Sequence, residues 1–383
     1  MIATVVPAET SDPVNARILA ISEDRVPGFV VEPFAEIARG AELDEQTVVE
    51  RLRAMLASGT IRRIRQTMMA TNLAPGALVA WKVAPDLIDA AFEYMSKEDP
   101  FSGHVVIRST DGETAGSGYR LWTTLKVPQN FSMRKHCEYL MSVTEAQSFR
   151  MMPAKRLFAL GVGHVRRRGL EPGSKTDAPG AVLDTNIVDL SPLDWRVLGP
   201  LKREFEADEI TPDPWRARAS EAGVSFDEFV TVARSLNERG VVGRFSTFLE
   251  HVKPSASGER VTRYNALFHW RVPAGREIEA GREVGRHHIL THAYWREGGP
   301  EFANVNIMAV AHGTDKELVL AHKAAIDRHL VAAGIPVGYT NVFWGGRSEI
   351  KPSEISPAEY ARWCDRVGLD KASMMDPGER IQA

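Results

Sequence analysis

Near the start of the chain, apolar positions recur at helical spacing and then give way to a short β-branched run. The stretch Leu43 to Arg65, LDEQTVVERLRAMLASGTIRRIR, has apolar residues at i, i+4 and i+7 followed by a glycine. That pattern predicts an amphipathic helix with a glycine at its C-cap, leading into a strand. The same pattern returns in Val224 to Ser246, VSFDEFVTVARSLNERGVVGRFS. Offset by 181 positions, Val48 meets Phe229, Leu52 meets Ala233, Met55 meets Leu236, Gly59 meets Gly240 and Arg63 meets Arg244. Each copy is preceded by two more helical patterns: Val14 to Ile21 with Val31 to Ala38, and Pro192 to Phe205 with Trp215 to Ala222. Three helices and a strand outline a winged helix-turn-helix.

The rest of each half repeats as well. GALVAWKVA (Gly76 to Ala84) corresponds to YNALFHWRVP (Tyr264 to Pro273). Each is followed by a helix-like stretch, two strand-like stretches, a second helix and a last strand. These final elements are expected at Asn130 to Ala146 and Leu157 to Val165 in the first copy. In the second they are expected at Asp315 to Ala333 and Gly338 to Gly345. The order β-α-β-β-α-β is ferredoxin-like. The expected fold class is therefore α+β, a tandem repeat of winged-helix and ferredoxin-like modules. The expected boundaries are a winged helix over 12–66, a ferredoxin-like module over 67–166, a linker over 167–186, a second winged helix over 187–252 and a second ferredoxin-like module over 253–352. A tail with a short helix follows over 353–383. The linker segment GLEPGSKTDAPGAVLDT, rich in Gly, Pro, Ser and Asp, reads as flexible.

Composition changes this picture little. The chain has 383 residues, 44% hydrophobic and 25% charged, with no apolar run near the ~20 residues a membrane helix needs. The first thirteen residues lack the basic and apolar regions of a signal peptide, so a cytoplasmic location is expected. Cys137 and Cys364 lie far apart without metal-type spacing. The net charge of −3 offers no support for nucleic-acid binding.

A winged helix joined to a ferredoxin-like module is the Lrp/AsnC plan, and several segments resemble its siroheme decarboxylase branch. YRLWTTLKVP (Tyr119 to Pro128) and RMMPAKRLFALGV (Arg150 to Val162) are similar to strands of one subunit type. THAYWR (Thr291 to Arg296), VNIMAVAHG (Val305 to Gly313) and VVGRFSTFLEHV (Val241 to Val252) are similar to strands of the other. The likeness runs over roughly residues 14 to 352 in two copies of different type, as in a fusion of both subunits. Arg120, FANVN (Phe302 to Asn306) and GGRSEIK (Gly345 to Lys351) depart from the family's pattern. What the resemblance implies is non-oxidative loss of acetate carboxyls from siroheme to give didecarboxysiroheme, on the way to haem or haem d1. It implies no cofactor beyond the iron of the tetrapyrrole, and a pseudo-dimer within one chain that a further homodimer could extend.

Two His-x-x-x-Arg pairs, His104 with Arg108 and His292 with Arg296, occupy matching strands. Residues four apart in a strand share a face. Arginine suits a carboxylate through its fork, and histidine suits proton delivery near neutral pH. The alternative is a polar pair on the wet side of a sheet. Given the resemblance, Arg296 and Arg244 are expected to seat carboxylates, His292 to deliver the proton or act as an axial ligand of the substrate iron, and His251 to partner it. Tyr294, Asn306, His312, His104, Arg108 and Arg63 complete the expected substrate set. His251 reads equally well as a hinge residue after the wing, His312 as a strand-end residue touching backbone, and Arg63 and Arg244 as salt-bridge anchors of the wing. HHILTH (His287 to His292) lacks the glutamate of a helical zinc motif, and Ile289 stands in its place. Two other readings stay open. One is an Lrp/AsnC-type DNA-binding regulator using helices around Val48 to Ala57 and Phe229 to Glu238. The other is a non-catalytic haem or siroheme carrier.

Overall fold

A computed structural model describes residues 6–69, 72–160, 169–183, 187–250 and 262–376. The chain forms two compact units, each assembled from both halves of the sequence. One gathers the winged-helix segments and the other the ferredoxin-like segments with the C-terminal tail.

The first copy of the winged unit runs α1 (Pro13–Ser22), β1 (Val26–Pro27), α2 (Pro33–Ala41), α3 (Glu45–Ala57) and β2 (Ile61–Met68). Asp12 caps α1 by accepting from the Val14 and Asn15 N–H groups, and Asp44 caps α3 by accepting from Thr47 N–H. Gly59 and Gly240, the repeated glycines after the third helices, both have positive φ, the conformation that turns a helix into the following strand.

The ferredoxin-like unit begins with β3 (Gly76–Lys82), α4 (Ile88–Lys97), β4 (Ser102–Ser109), β5 (Leu121–Lys126), α5 (Met133–Thr144), β6 (Ser148–Pro153) and β7 (Arg156–Leu160). The chain then returns to the winged unit for α6 (Pro192–Lys202), α7 (Trp215–Ala222), α8 (Phe226–Glu238) and β8 (Val242–Leu249). It closes the ferredoxin-like unit with β9 (Tyr264–Arg271), α9 (Glu277–Gly285), β10 (Leu290–Trp295), β11 (Ile307–Gly313), α10 (Lys316–Ala332) and β12 (Tyr339–Ile350). The tail adds α11 (Pro357–Val367) and α12 (Lys371–Met374).

In the winged unit the two wing strands pair with each other. β2 and β8 run antiparallel, from Ile61 opposite Leu249 to Met68 opposite Val242, and β1 adds to β8. The two copies share one core, in which Phe34 of the first copy meets Phe205 and Phe245 of the second.

In the other unit the strand order β6-β3-β5-β4-β12-β9-β11-β10-β7 makes one nine-stranded sheet. Each module contributes its strands in the ferredoxin order fourth-first-third-second. β12 is one long strand, pairing first with β9 and then with β4. Its counterpart in the first module is broken at Ala154 and Lys155: β6 pairs with β3, and β7 pairs with β10 of the second module. Three chain steps, through Ala154 and Lys155, join Pro153 to Arg156, a reach of about 11 Å at most. The two edges of the sheet must therefore meet, and the sheet closes into a barrel.

The helices lie outside. α4, α5 and α11 cover the first module's strands, with Trp81, Phe101, Tyr360 and Trp363 buried among them, and α9 and α10 cover the second module's. Inside, Ala80, Val106, Trp122, Met152, Leu267, Met308 and Phe343 converge from both modules, with Phe302 from the loop between β10 and β11.

Two expectations need correction. The strand expected at Leu157 to Val165 does not close its own module, since residues Arg156–Leu160 pair with β10 of the other one. The closing strand is β6, whose alternation was hidden by the run of two methionines before Pro153. The linker is not loose where it is described. Thr176 N–H donates to Arg286 O at 3.0 Å, Gly180 N–H to Arg282 O at 2.9 Å, and His322 Nε2 lies 3.1 Å from Leu170 O. Gly, Pro and Ser also suit a chain laid flat on a helix surface, and composition does not tell the two apart.

Candidate functional site

β10 places its side chains on alternate faces of the barrel wall. Leu290, Ala293 and Trp295 face the helices, whereas His292, Tyr294 and the following Arg296 face inward. Those three form a column. The His292 and Tyr294 rings stack at 6.0 Å with 9° between their planes, and the Arg296 guanidinium lies 4.4 Å from the Tyr294 ring centre. Thr291 joins the column to β11: its hydroxyl lies 3.1 Å from His292 Nδ1 and 3.5 Å from His312 Nδ1.

At the other end, Arg296 donates through Nη1 to the Met152 carbonyl, across the seam between the modules. Arg296 is buried, and desolvation brings its guanidinium below the usual arginine value, partly opposed by Tyr294. Burial pushes the Tyr294 hydroxyl up, and Arg296 pulls it back in part. Lys126, on the inward face of β5, is brought down to about 8 by burial first and by the Arg296 charge second.

The matching pair of the first module has other partners. His104 Nε2 lies 2.7 Å from the Ser348 hydroxyl. Arg108 donates to Asn265 Oδ1 and to the Phe343 carbonyl, each at 3.3 Å, and burial brings it down to about 10.

The remaining expected residues are scattered. Asn306 is engaged at both ends of its amide, accepting from Val272 N–H at 2.9 Å and donating to Val272 O and Glu277 Oε1. That holds the turn from β9 into α9. Arg63 and Arg244 belong to the winged unit. Arg63 pairs with Glu204 at 2.9 Å, and Arg244 Nε donates to Glu23 O at 3.4 Å. The Arg63 contact is a salt bridge of the kind weighed from the sequence, whereas that of Arg244 is to a backbone carbonyl. His251 lies outside the described residues. His288, of the HHILTH run, has its Nδ1 3.0 Å from the Ser174 hydroxyl. Among the described residues, no three His, Cys, Asp or Glu side chains are grouped to hold a metal ion.

Sequence reasoning passed over His269. It is buried among Trp122, Phe302 and Phe343, and its Nε2 has no hydrogen-bond partner. Burial, then the Arg108 and Lys323 charges, bring it down to about 3, so it is neutral at any working pH. A signal existed: His269 sits at an inward position of β9 where the first copy has Ala80. A cavity of about 280 Å³ opens elsewhere in this unit, lined in part by Asp111, Thr114, Lys323 and Asn341. None of the expected site residues lines it.

Comparisons with known proteins bear on these features. Residues 16–62 match the model of the siroheme decarboxylase NirDL-like HTH domain, and residues 73–159 match the AsnC-like ligand binding domain. The siroheme decarboxylase of Hydrogenobacter thermophilus is 25% identical over 317 residues, covering 82% of this chain and 87% of that protein. The siroheme decarboxylase alpha subunit of Desulfovibrio desulfuricans is 29% identical over 154 residues, 39% of this chain and 82% of the subunit. The crystal structure of the siroheme decarboxylase NirDL superposes with a TM-score of 0.64 at 19% identity, covering 92% of this chain and 97% of that one. The same enzyme in co-complex with an iron-uroporphyrin III analogue superposes equally well. At that identity the two structures speak for the fold.

Proposed function

We propose that this chain, which belongs to the siroheme decarboxylase family, removes acetate carboxyl groups from siroheme to give didecarboxysiroheme. In each event the bond between the methylene and the carboxylate carbon breaks and carbon dioxide leaves. The electron pair left on the methylene carbon takes up a proton, and the acetate arm becomes a methyl group. No oxidant or reductant enters the balance.

The observation that carries this reading is the inward column on β10. It sets on one face of one strand an imidazole and a guanidinium that has no acidic partner among the described residues. A buried cation without a counter-charge is a costly arrangement that an incoming carboxylate relieves. Arg296 would seat the acetate, and His292 would return the proton or touch the substrate iron. Thr291 would hold the His292 ring through Nδ1, with His312 behind it. Tyr294 would keep the two apart at a fixed spacing. His251 remains the expected partner of His292, and Arg63, Arg244, Asn306, His104 and Arg108 contribute through the frame.

The relatives named alpha and beta subunits indicate that two chains can share this work. Here one chain holds both modules in a closed barrel, a pseudo-dimer that needs no second chain to complete the sheet. Among the described residues no helix is long and apolar enough to cross a membrane, and a cytoplasmic enzyme is the reading we adopt. Against the regulator alternative, the wing strands are paired with each other, and the outer face of α8 exposes Asp227, Glu228 and Glu238 with Arg234.

The test is anaerobic incubation with siroheme, with the product weighed by mass spectrometry. Wild type should lose the mass of one carbon dioxide per acetate processed. His292→Ala should slow this by about 10²–10⁴-fold, the range expected when a general acid is removed. No carbon dioxide and no mass loss from wild type would overturn the assignment.

A further inference from the structure

Lys126 is the first module's counterpart of His312, and nothing in the reading above uses it. It ends β5, on the strand face shared by Trp122 and Thr124. Its cross-strand neighbour on β3 is Gly76, and a Cβ at that position would stand 2.7 Å from Lys126 Nζ. The ammonium thus occupies the space that any side chain there would claim. On the other flank of β3, Met152 of β6 pairs with Leu78, and its carbonyl receives Arg296 from β10. Lysine and arginine therefore arrive at the same end of β3 from opposite sides, one from each module. Among the described residues Lys126 has neither a hydrogen-bond nor an ion-pair partner, and the partners of Arg296 are a carbonyl and a tyrosine.

Two cations close enough to feel each other, largely buried and without an acid between them, repel at a stability cost. We infer that Lys126, Gly76 and Arg296 form a two-cation seat for one carboxylate of the ligand, so that the site is built from both ferredoxin-like modules. The inference rests on the tetrapyrrole reading and adds a residue from the first module to it. A carboxylate there would accept from the Arg296 fork on one side and from the Lys126 ammonium on the other. Alanine at position 76 would push the ammonium aside, a move the flexible lysine stem allows, and so would take it out of the seat.

The lysine's position near 8 gives a second readout. Below that pH the ammonium is charged and the seat is complete. As pH rises through about 8, the unliganded lysine loses its proton and carboxylate affinity falls. Among the described residues, the charged or titratable groups on the inward faces of the surrounding strands are His292, Tyr294 and Arg296 of β10, His104 and Arg108 of β4 and Arg150 of β6. A Lys126→Arg variant leaves all of them in place while removing the titration.

The experiment is a spectroscopic titration of the full chain with siroheme, with iron uroporphyrin and with esterified siroheme, alongside siroheme turnover. Lys126→Met should weaken binding of both free acids by roughly ten- to hundredfold, the value of a lost charge-assisted bond. It should leave esterified siroheme unchanged. Lys126→Arg should keep the affinity and flatten its fall above pH 8. Gly76→Ala should weaken the free acids in the same selective way. Circular dichroism and thermal melts confirm folding, and Lys126→Gln replaces Lys126→Met if the latter fails to fold. Free-acid binding unchanged in Lys126→Met overturns the inference, as does equal weakening toward acid and ester. Wild type that binds the acids through Lys126 but turns over no siroheme overturns the functional reading and leaves the seat standing. Wild type that binds neither acid overturns both.

Discussion

The two His-x-x-x-Arg strands began as copies and now sit in opposite circumstances. On β4, Arg108 is 4% exposed and donates to Asn265 and the Phe343 carbonyl, with the Phe343 ring in the aromatic core. On β10, Arg296 is also buried, but it reaches toward the seam, stacks on a tyrosine and faces a lysine. The first pair has been drawn into the frame, and the second keeps a charge that no acid among the described residues answers. Spacing alone could not tell them apart, because the difference lies in what the other module brings opposite each strand.

This contrast can be broken at several points. The largest effect should come from a buried histidine–aspartate contact of the first module, in which His136 Nε2 lies 3.3 Å from Asp99 Oδ1 with both side chains fully buried. Burial pushes the Asp99 carboxyl up, but the His136 ring and the Phe101 N–H outweigh it and hold it below its ordinary 3.8. With the folded value below the unfolded one, the stabilisation is complete above pH 3.8 and is lost as pH falls through the folded value. Asp99→Asn should cost about 3 kcal/mol near neutral pH and flatten the acid limb of the stability profile. Denaturant melts across pH would show it, and an unchanged acid limb would contradict it.

Next comes the pair of arginines. Arg108→Met should lower stability by about 1–3 kcal/mol, because Asn265 and the Phe343 carbonyl lose their donor, while activity per folded molecule stays near wild type. Arg296→Met should do the reverse, lowering kcat/KM for siroheme by roughly ten- to hundredfold with little change in the melt. If both variants lose activity alike, the two strands are functionally equivalent and the contrast fails. The smallest effect belongs to Thr291→Val. Removing the hydroxyl between His292 and His312 should cost about 1 kcal/mol, read as a severalfold fall in kcat with binding unchanged. An equal rise in KM would place Thr291 in binding instead.

Much of the fold was legible because it was written twice. The helical spacing before Gly59 and Gly240 and the β-α-β-β-α-β order follow from local periodicity, which a single sequence displays directly. Pairing between distant segments does not. Nothing in IRRIRQTM states that its partner is the wing of the other copy, or that Arg156–Leu160 would cross to β10. The tail was legible as a helix, but not as the cover that buries Tyr360 and Trp363 against the first module. In the site, His292, Tyr294 and Arg296 were legible from strand alternation and resemblance. Lys126 was read only as one position in YRLWTTLKVP, and Gly76 only as the start of a strand. The arrival of Arg296 beside them depends on closure of the barrel, which no local pattern encodes.

The most direct measurement is a crystal structure of this chain with siroheme bound. One acid arm is expected between Arg296 and Lys126, with His292 within reach of the neighbouring methylene carbon or the iron. Acid arms lying instead on Arg108 and Asn265, or a tetrapyrrole bound away from β10 altogether, would contradict the division of labour between the two copies.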